Sequence, residues 1–276
     1  MNGQVIYQQI KILSLKPLIC MKKDIINTVL ILALTATPAL AQVSPKDSIV
    51  FTPLISPAGG VCFPGGDLVD RFGVNGALGG SFMIKTRKNW LYGVQYDFLF
   101  GNNVKQQEIL DNLKTSGGFI ISESGAPAEV DMFERGHSVL LKGGKVMPHL
   151  LGKNTLIGPN ENSGILLMAG VGWLQHKIHI TGSTRQLTEE YKQGYDRLTY
   201  GLAASQFIGY FHLSNNRMLN FYFGMELIEG WTVNRRGYNF DEMAEDTEKR
   251  LDVMSCFKVG WMLPLYKKIS DEFYYH

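Results

Sequence analysis

No run beyond residue 41 approaches 18 consecutive apolar residues, so the chain holds no membrane-spanning helix past that point. It also lacks a dominant charge. Lys and Arg number 27 against 25 Asp and Glu, a formal net charge of +2, which gives no broad basic surface for nucleic acid. Cysteine is scarce: three in 276 residues, too few for a disulfide scaffold. Glycine, in contrast, is plentiful at 30, and aromatics make up 11%.

The N-terminal region has its own composition. Residues 21–41, "MKKDIINTVLILALTATPALA", open on two lysines, continue through a short apolar run and end on Ala39-Leu40-Ala41. That is the layout of a secretory signal peptide, and the run is too short to span a membrane. Residues 1–20 have no place in such a signal, so they are read as an extension ahead of a true start at Met21. Ile19, just before Cys20, is not the small residue that lipid attachment needs. From Gln42 about 235 residues remain, enough for one large domain or two small ones.

Periodicity across the rest is two rather than 3.6. In "NWLYGVQYDFLFGN", Trp90, Tyr92, Val94, Tyr96, Phe98 and Phe100 share one face, while Gln95, Asp97 and two glycines lie on the other. "LNFYFGMEL" sets Phe221, Phe223 and Met225 against Tyr222, Gly224 and Glu226. "LDVMSCFKVGWML" sets Val253, Phe257, Val259 and Trp261 against Asp252, Cys256, Lys258 and Gly260. About eight such segments follow one another, at 49–63, 74–86, 90–101, 135–148, 164–180, 199–213, 218–231 and 250–266. Each is long enough for a tilted transmembrane strand, which needs about 9–11 residues.

Connections alternate in length. Arg87-Lys88-Asn89 and "SNNR" are tight, and 149–163 is of medium length. "PGGDLVDRFG", 102–134, 181–198 and 232–249 are longer. Within the long ones, "NVKQQEILDNLKT", "QLTEEYKQGYDRL" and "NFDEMAEDTEKRL" each suggest a short helix, and "GFIISESGAPAEVDMFE" a hairpin turning at Gly125-Ala126. Short turns at one end and long loops at the other predict an all-β fold: an eight-stranded antiparallel transmembrane β-barrel with periplasmic turns and extracellular loops over 42–266, followed by a periplasmic tail at 267–276. The face opposite the apolar one is rich in small residues (Ala77, Gly79, Ser81, Gly170, Gly172), which suits a narrow lumen, whereas a soluble barrel would show water a charged face. Trp90 and Trp261 stand near strand ends, where a lipid interface favours them.

Parity places Lys85, Asp97, Lys142, Glu226 and Lys258 inside the barrel. Charges in so narrow a space must pair or hold water, so a salt-bridged plug is expected rather than a selectivity ring or proton path. Cys62 and Cys256 both face inward near the loop end of the first and last strands; they either bridge the barrel seam or remain two free thiols. His176 and His179 are three apart on a strand and therefore point oppositely, which excludes a shared metal ion. The same alternation separates His137 from Ser138, so no hydrolase pair forms there. "PGGDLVDRFG" follows no βα pattern and is read as an extracellular turn, not a phosphate loop. No catalytic residue, metal site or cofactor site is expected.

Several stretches resemble a family of small, porin-like or OmpX-like outer-membrane β-barrel proteins from Bacteroidota: "PGGDLVDRFGVNGALGGSFMIKTRKNWLYGVQYDFLFGN", "MFERG", "GVGWLQHKI", "GYDRLTYGLA", "IGYFHLSNNR" and "GWMLPLYKKISDEFYYH". They run over most of the chain after the signal. The resemblance implies location in the cell outer membrane after export, and no catalytic residues. It also implies a non-enzymatic part in a larger machine for outer-membrane protein assembly or secretion. Outer-membrane lipid, the insertion machinery and other outer-membrane or periplasmic proteins are the expected partners. Two alternatives are a small passive channel and a lipid-modifying barrel enzyme; a like-charged inward ring would favour the first and a Ser/His/acid cluster at the rim the second. The ending on Phe273, Tyr274, Tyr275 and His276 departs from the aromatic terminus expected of such barrels, and these residues are read as a docking segment or a displaced assembly signal.

Overall fold

The computed structural model describes residues 49–122, 124–150, 159–182, 184, 187–214 and 219–265. The expected signal peptide and the C-terminal segment with Phe273, Tyr274 and Tyr275 lie outside the described residues. Eight long strands dominate: β1 (Thr52–Gly66), β2 (Asn75–Lys85), β3 (Trp90–Gly101), β4 (Asp131–Pro148), β5 (Gly164–Thr181), β6 (Thr199–His212), β7 (Phe221–Asn234) and β8 (Lys249–Trp261). Each pairs antiparallel with its sequence neighbours, and β1 also pairs with β8, closing the sheet into a barrel. Beyond Met262, Leu263–Pro264 resumes the pairing with β1 opposite Leu54 and Ile55. The strand boundaries follow the alternating segments closely. β4 begins earlier than the pattern suggests, at Asp131, because it and β5 extend as an 18-residue pair beyond the loop-side end of their neighbours.

Alternation decides what each face does. Outward side chains are mostly apolar and exposed around the ring, including Leu78, Tyr92, Leu141, Val171, Leu202, Met225, Trp231 and Val259. Inward side chains are buried. On the lumen side, glycine lets neighbouring backbones come close: a Cβ at Gly79 would collide with the carbonyl oxygen of Tyr96, and one at Gly172 with that of Val139.

The lumen is layered. At the short-turn end, Leu54, Met83, Leu91, Val146, Leu166, Phe207, Phe211, Tyr222 and Met262 form one apolar cluster. A polar layer follows at mid-height. Above it, Leu99, Leu140, Leu174, Ile178, Ile228 and Met254 of the wall meet loop residues Leu68, Phe72, Ile109, Leu110, Ile120, Leu187 and Tyr195 in a second cluster. The long loops thus fold inward and roof the barrel.

Two of the three expected loop helices appear as short 3₁₀ segments, Gln107–Leu113 and Tyr191–Gly194. A further 3₁₀ turn, Asp67–Asp70, lies in the first loop. The hairpin in the third connection is present as Ile120–Ile121 paired with Pro127–Ala128, with Gly125 at φ +82° turning it. The helix expected in "NFDEMAEDTEKRL" is replaced by a two-residue ladder, Tyr238–Asn239 with Ala244–Glu245. Gly237 and Met243 take positive φ values of 77° and 51°, and Asn239 Nδ2 donates to Glu242 and Asp246, so side-chain bonds to the turn compete successfully with helix formation.

Candidate functional site

The mid-height layer is built from opposite walls. Asp97 comes from β3 and Lys142 from β4, while Glu226 and Lys258 come from β7 and β8. The Lys258 ammonium donates to Asp97 Oδ2 at 2.6 Å and lies 2.6 Å from Glu226 Oε2. Lys142 donates to the other Glu226 oxygen and, at 2.8 Å, to Gln95 Oε1. Gln95 Nε2 donates to Asp97 at 2.7 Å and to Glu226 at 3.1 Å. Two ammoniums and two carboxylates therefore neutralise one another across the lumen, and all four residues are at most 4% exposed. Such a net satisfies charges that could not be buried singly. Its alternation of sign is unlike a selectivity ring.

Lys85 behaves differently from the other inward charges. It lies at the short-turn end and donates to Asn89 Oδ1 at 2.6 Å, Asn162 Oδ1 at 2.8 Å and the Val50 carbonyl at 3.4 Å. Among the described residues it meets neutral oxygens rather than a carboxylate. Asn89 serves twice: its φ of 61° completes the tight turn between β2 and β3, and its amide oxygen caps the ammonium. Between the floor and the charged layer, a cavity of about 10 Å³ is lined by Ser56, Ser81, Gln95 and Tyr222 among others, room for about one water.

At the rim, Asp252 organises a second cluster. Arg71, from the first loop, reaches into the mouth and donates to Asp252 Oδ1 at 2.8 Å and to Thr199 Oγ1 at 2.9 Å. His176 Nε2 lies 2.8 Å from Asp252 Oδ2, which also accepts from the Thr232 hydroxyl. Phe72 covers the imidazole edge-on at 5.7 Å. Nearby, Asn75 Nδ2 donates to both oxygens of Glu134, at 2.9 and 2.8 Å. A histidine, an acid and a hydroxyl do meet at the rim. However, the hydroxyl donates to the carboxylate rather than facing the imidazole, and Asp252, His176 and Thr232 are at most 1% exposed beneath the loop.

His179 projects outward from the same strand as His176, on the opposite face. His137 also lies outside, 2.8 Å from the Tyr96 hydroxyl, while Ser138 lies inside, 3.4 Å from Asp97. Among the described residues no group of three or more His, Cys, Asp or Glu is placed to hold a metal ion. Cys62 and Cys256 stand directly opposite one another in the seam register, with Cα atoms 4.0 Å apart and a sulfur–sulfur distance of 2.00 Å, a disulfide joining the first strand to the last.

The roof has its own ion pairs. Arg197 bonds Asp241 at 2.5 Å and Glu242 at 3.0 Å; Arg236 bonds both oxygens of Asp196; Arg250 bonds Asp246 at 2.9 Å. Burial pushes the Asp246 carboxyl up, but donors from Arg250 and Asn234 outweigh it and hold the group below its ordinary value. The Asn239 amide, against burial and together with Arg197, holds Glu242 below its ordinary value as well.

Parity alone did not reveal Arg71, His176 or Glu134 as members of polar clusters. The signal available for His176 and Asp252 was their shared inward parity near the loop end. No comparable signal exists for Arg71, because a loop has no period.

The geometry defines a closed, filled, eight-stranded barrel with an apolar exterior. No family model matches the chain, and no curated protein matches it. Among solved structures, the fold is similar to Ail, the attachment invasion locus protein of Yersinia pestis, in complex with the heparin analogue sucrose octasulfate. That similarity has a TM-score of 0.39 and 10% identity over 77% of this chain and 99% of that one. It is also similar to the outer membrane protein OprG from Pseudomonas aeruginosa, at TM-score 0.33 and 14% identity over 78% and 98%. At these values the architecture rests on the strand pairing of this chain itself.

Proposed function

We propose that the chain is an integral outer-membrane β-barrel that works as a non-enzymatic structural or accessory subunit of a larger outer-membrane complex, in protein assembly or secretion. A single observation carries the reading: the lumen is filled from the Lys85 floor through the charged layer to the Arg71 and Phe72 roof, while the exterior is a largely apolar band. An apolar exterior around a closed sheet suits lipid, where every backbone group must be satisfied internally. A filled lumen leaves little for a channel to conduct, and the Asp252, His176 and Thr232 cluster at the rim is buried rather than open to a substrate. What remains to interact is the surface. The short turns then face the periplasm and the roofed loops the exterior.

Affinity purification of the tagged protein from detergent-solubilised outer membranes tests this. Stoichiometric co-purification of other outer-membrane or periplasmic proteins is expected; recovery of the barrel alone as a monomer contradicts it.

A further inference from the structure

The outward face of the barrel is not uniform. On β2 and β3 it is made of large side chains, Leu78, Phe82, Tyr92, Val94 and Phe100 among them. On β5 to β8 a group of small and polar side chains interrupts residues such as Val171, Leu202, Met225 and Phe257. Ala169 stands opposite Gln206, Gln206 opposite Leu227, and Leu227 opposite Ser255. One step nearer the loops, Ala204 stands opposite Glu229 and Glu229 opposite Val253. Gln206 and Ser255 are therefore both diagonal neighbours of Glu229, about 7 Å away.

This patch lies within the apolar band rather than at its edge. Trp231 follows Glu229 two residues nearer the loops, in a row with Leu202 and Trp173, while Met225 and Phe223 lie below it. Among the described residues no side chain hydrogen-bonds to Gln206, Glu229 or Ser255. Elsewhere in the band an outward polar pair satisfies itself, the Tyr96 hydroxyl meeting His137 at 2.8 Å. Acyl chains offer a carboxylate and an amide nothing in return. The alanines beside them leave room for another backbone to come close. A surface groove of about 570 Å³, lined by Ala169, Gln206, Ile208, Met225 and Leu227 among others, runs alongside.

Building on the reading of the chain as a subunit, we propose that the β5–β8 face is its docking surface within the membrane, and that the occupant is a different membrane-spanning protein presenting a Lys or Arg side chain to Glu229. Charge decides the occupant. In a symmetric contact a second copy would bring Glu229 no cation from this patch, only the neutral Gln206 amide and Ser255 hydroxyl. Lipid tails carry no donor at that depth.

The test places the photo-crosslinker p-benzoylphenylalanine at Ala204, and separately at Leu78 on the opposite side, in the full chain in outer membranes. The expected result is a discrete protein adduct from Ala204, mapping to a membrane-spanning segment with a Lys or Arg side chain, and lipid adducts alone from Leu78. Combining Q206L, E229L and S255A should lower the Ala204 adduct about tenfold, the loss expected for a charged hydrogen bond. These changes make the face more apolar, and a gel shift between heated and unheated samples shows that the barrel still folds. Lipid adducts alone at Ala204, or a product of twice the chain mass, overturn the proposal. If tagged wild-type protein co-purifies partners while Ala204 stays silent, the face is wrong and the subunit reading stands. If it purifies alone as a monomer, both fall.

Discussion

Lys258 is the hinge of the charged layer, because of its two ammoniums this one contacts both carboxylates, Asp97 and Glu226. Lys258→Met would leave those two buried acids with Lys142, which bonds Glu226 and Gln95, as the one ammonium of the layer. Breaking a buried ionic net by removing one partner costs about 3–5 kcal/mol. Urea unfolding of the barrel in lipid vesicles should show a loss of that order; a change below about 1 kcal/mol, the range of exposed pairs, would mean the layer is hydrated. The inward position of these side chains was legible from the alternation of β3, β4, β7 and β8. The pairing was not, since Asp97 and Lys258 lie 161 positions apart and meet across the lumen, where register rather than periodicity decides. Lys85 shows the limit of the same rule: parity put it inside, but only the tight turn brings the Asn89 oxygen to its ammonium.

At the scale of elements, the strands were the most legible part and the loops the least. A strand in an apolar surround repeats every two residues, so "NWLYGVQYDFLFGN" reads directly as β3. Loops obey local side-chain chemistry, which is why "NFDEMAEDTEKRL" forms a ladder in place of a helix. That ladder titrates. The Asp246 and Glu242 carboxyls are held below their ordinary values of 3.8 and 4.5, so their contribution is complete above those values and is lost as pH falls through the lower, folded-state values. Hydrogen exchange of residues 235–248, compared with the intrinsic amide rate at each pH, should therefore be slow near neutrality and relatively fast below about pH 4, while the β1–β8 ladder stays protected. Asp246→Asn should produce the fast exchange at neutral pH; unchanged exchange would show that the ion pairs do not order the roof.

For the whole molecule, the seam disulfide and the sealed lumen carry the account. The Cys62–Cys256 bond closes a loop spanning 194 positions. Tryptic digestion without reductant should yield one linked peptide, and reduction should lower unfolding stability by up to about 5 kcal/mol. Separate thiol peptides from freshly isolated membranes would contradict the bond. The two cysteines were legible as a seam pair, but whether they were bonded was not, because parity and strand order say nothing of redox state. Sealing is the central claim, since it directs function to the surface of the barrel. Planar-bilayer recording of the purified barrel tests it most directly. The filled lumen predicts no conductance steps across voltage; reproducible open-channel steps that vanish in protein-free controls would contradict it.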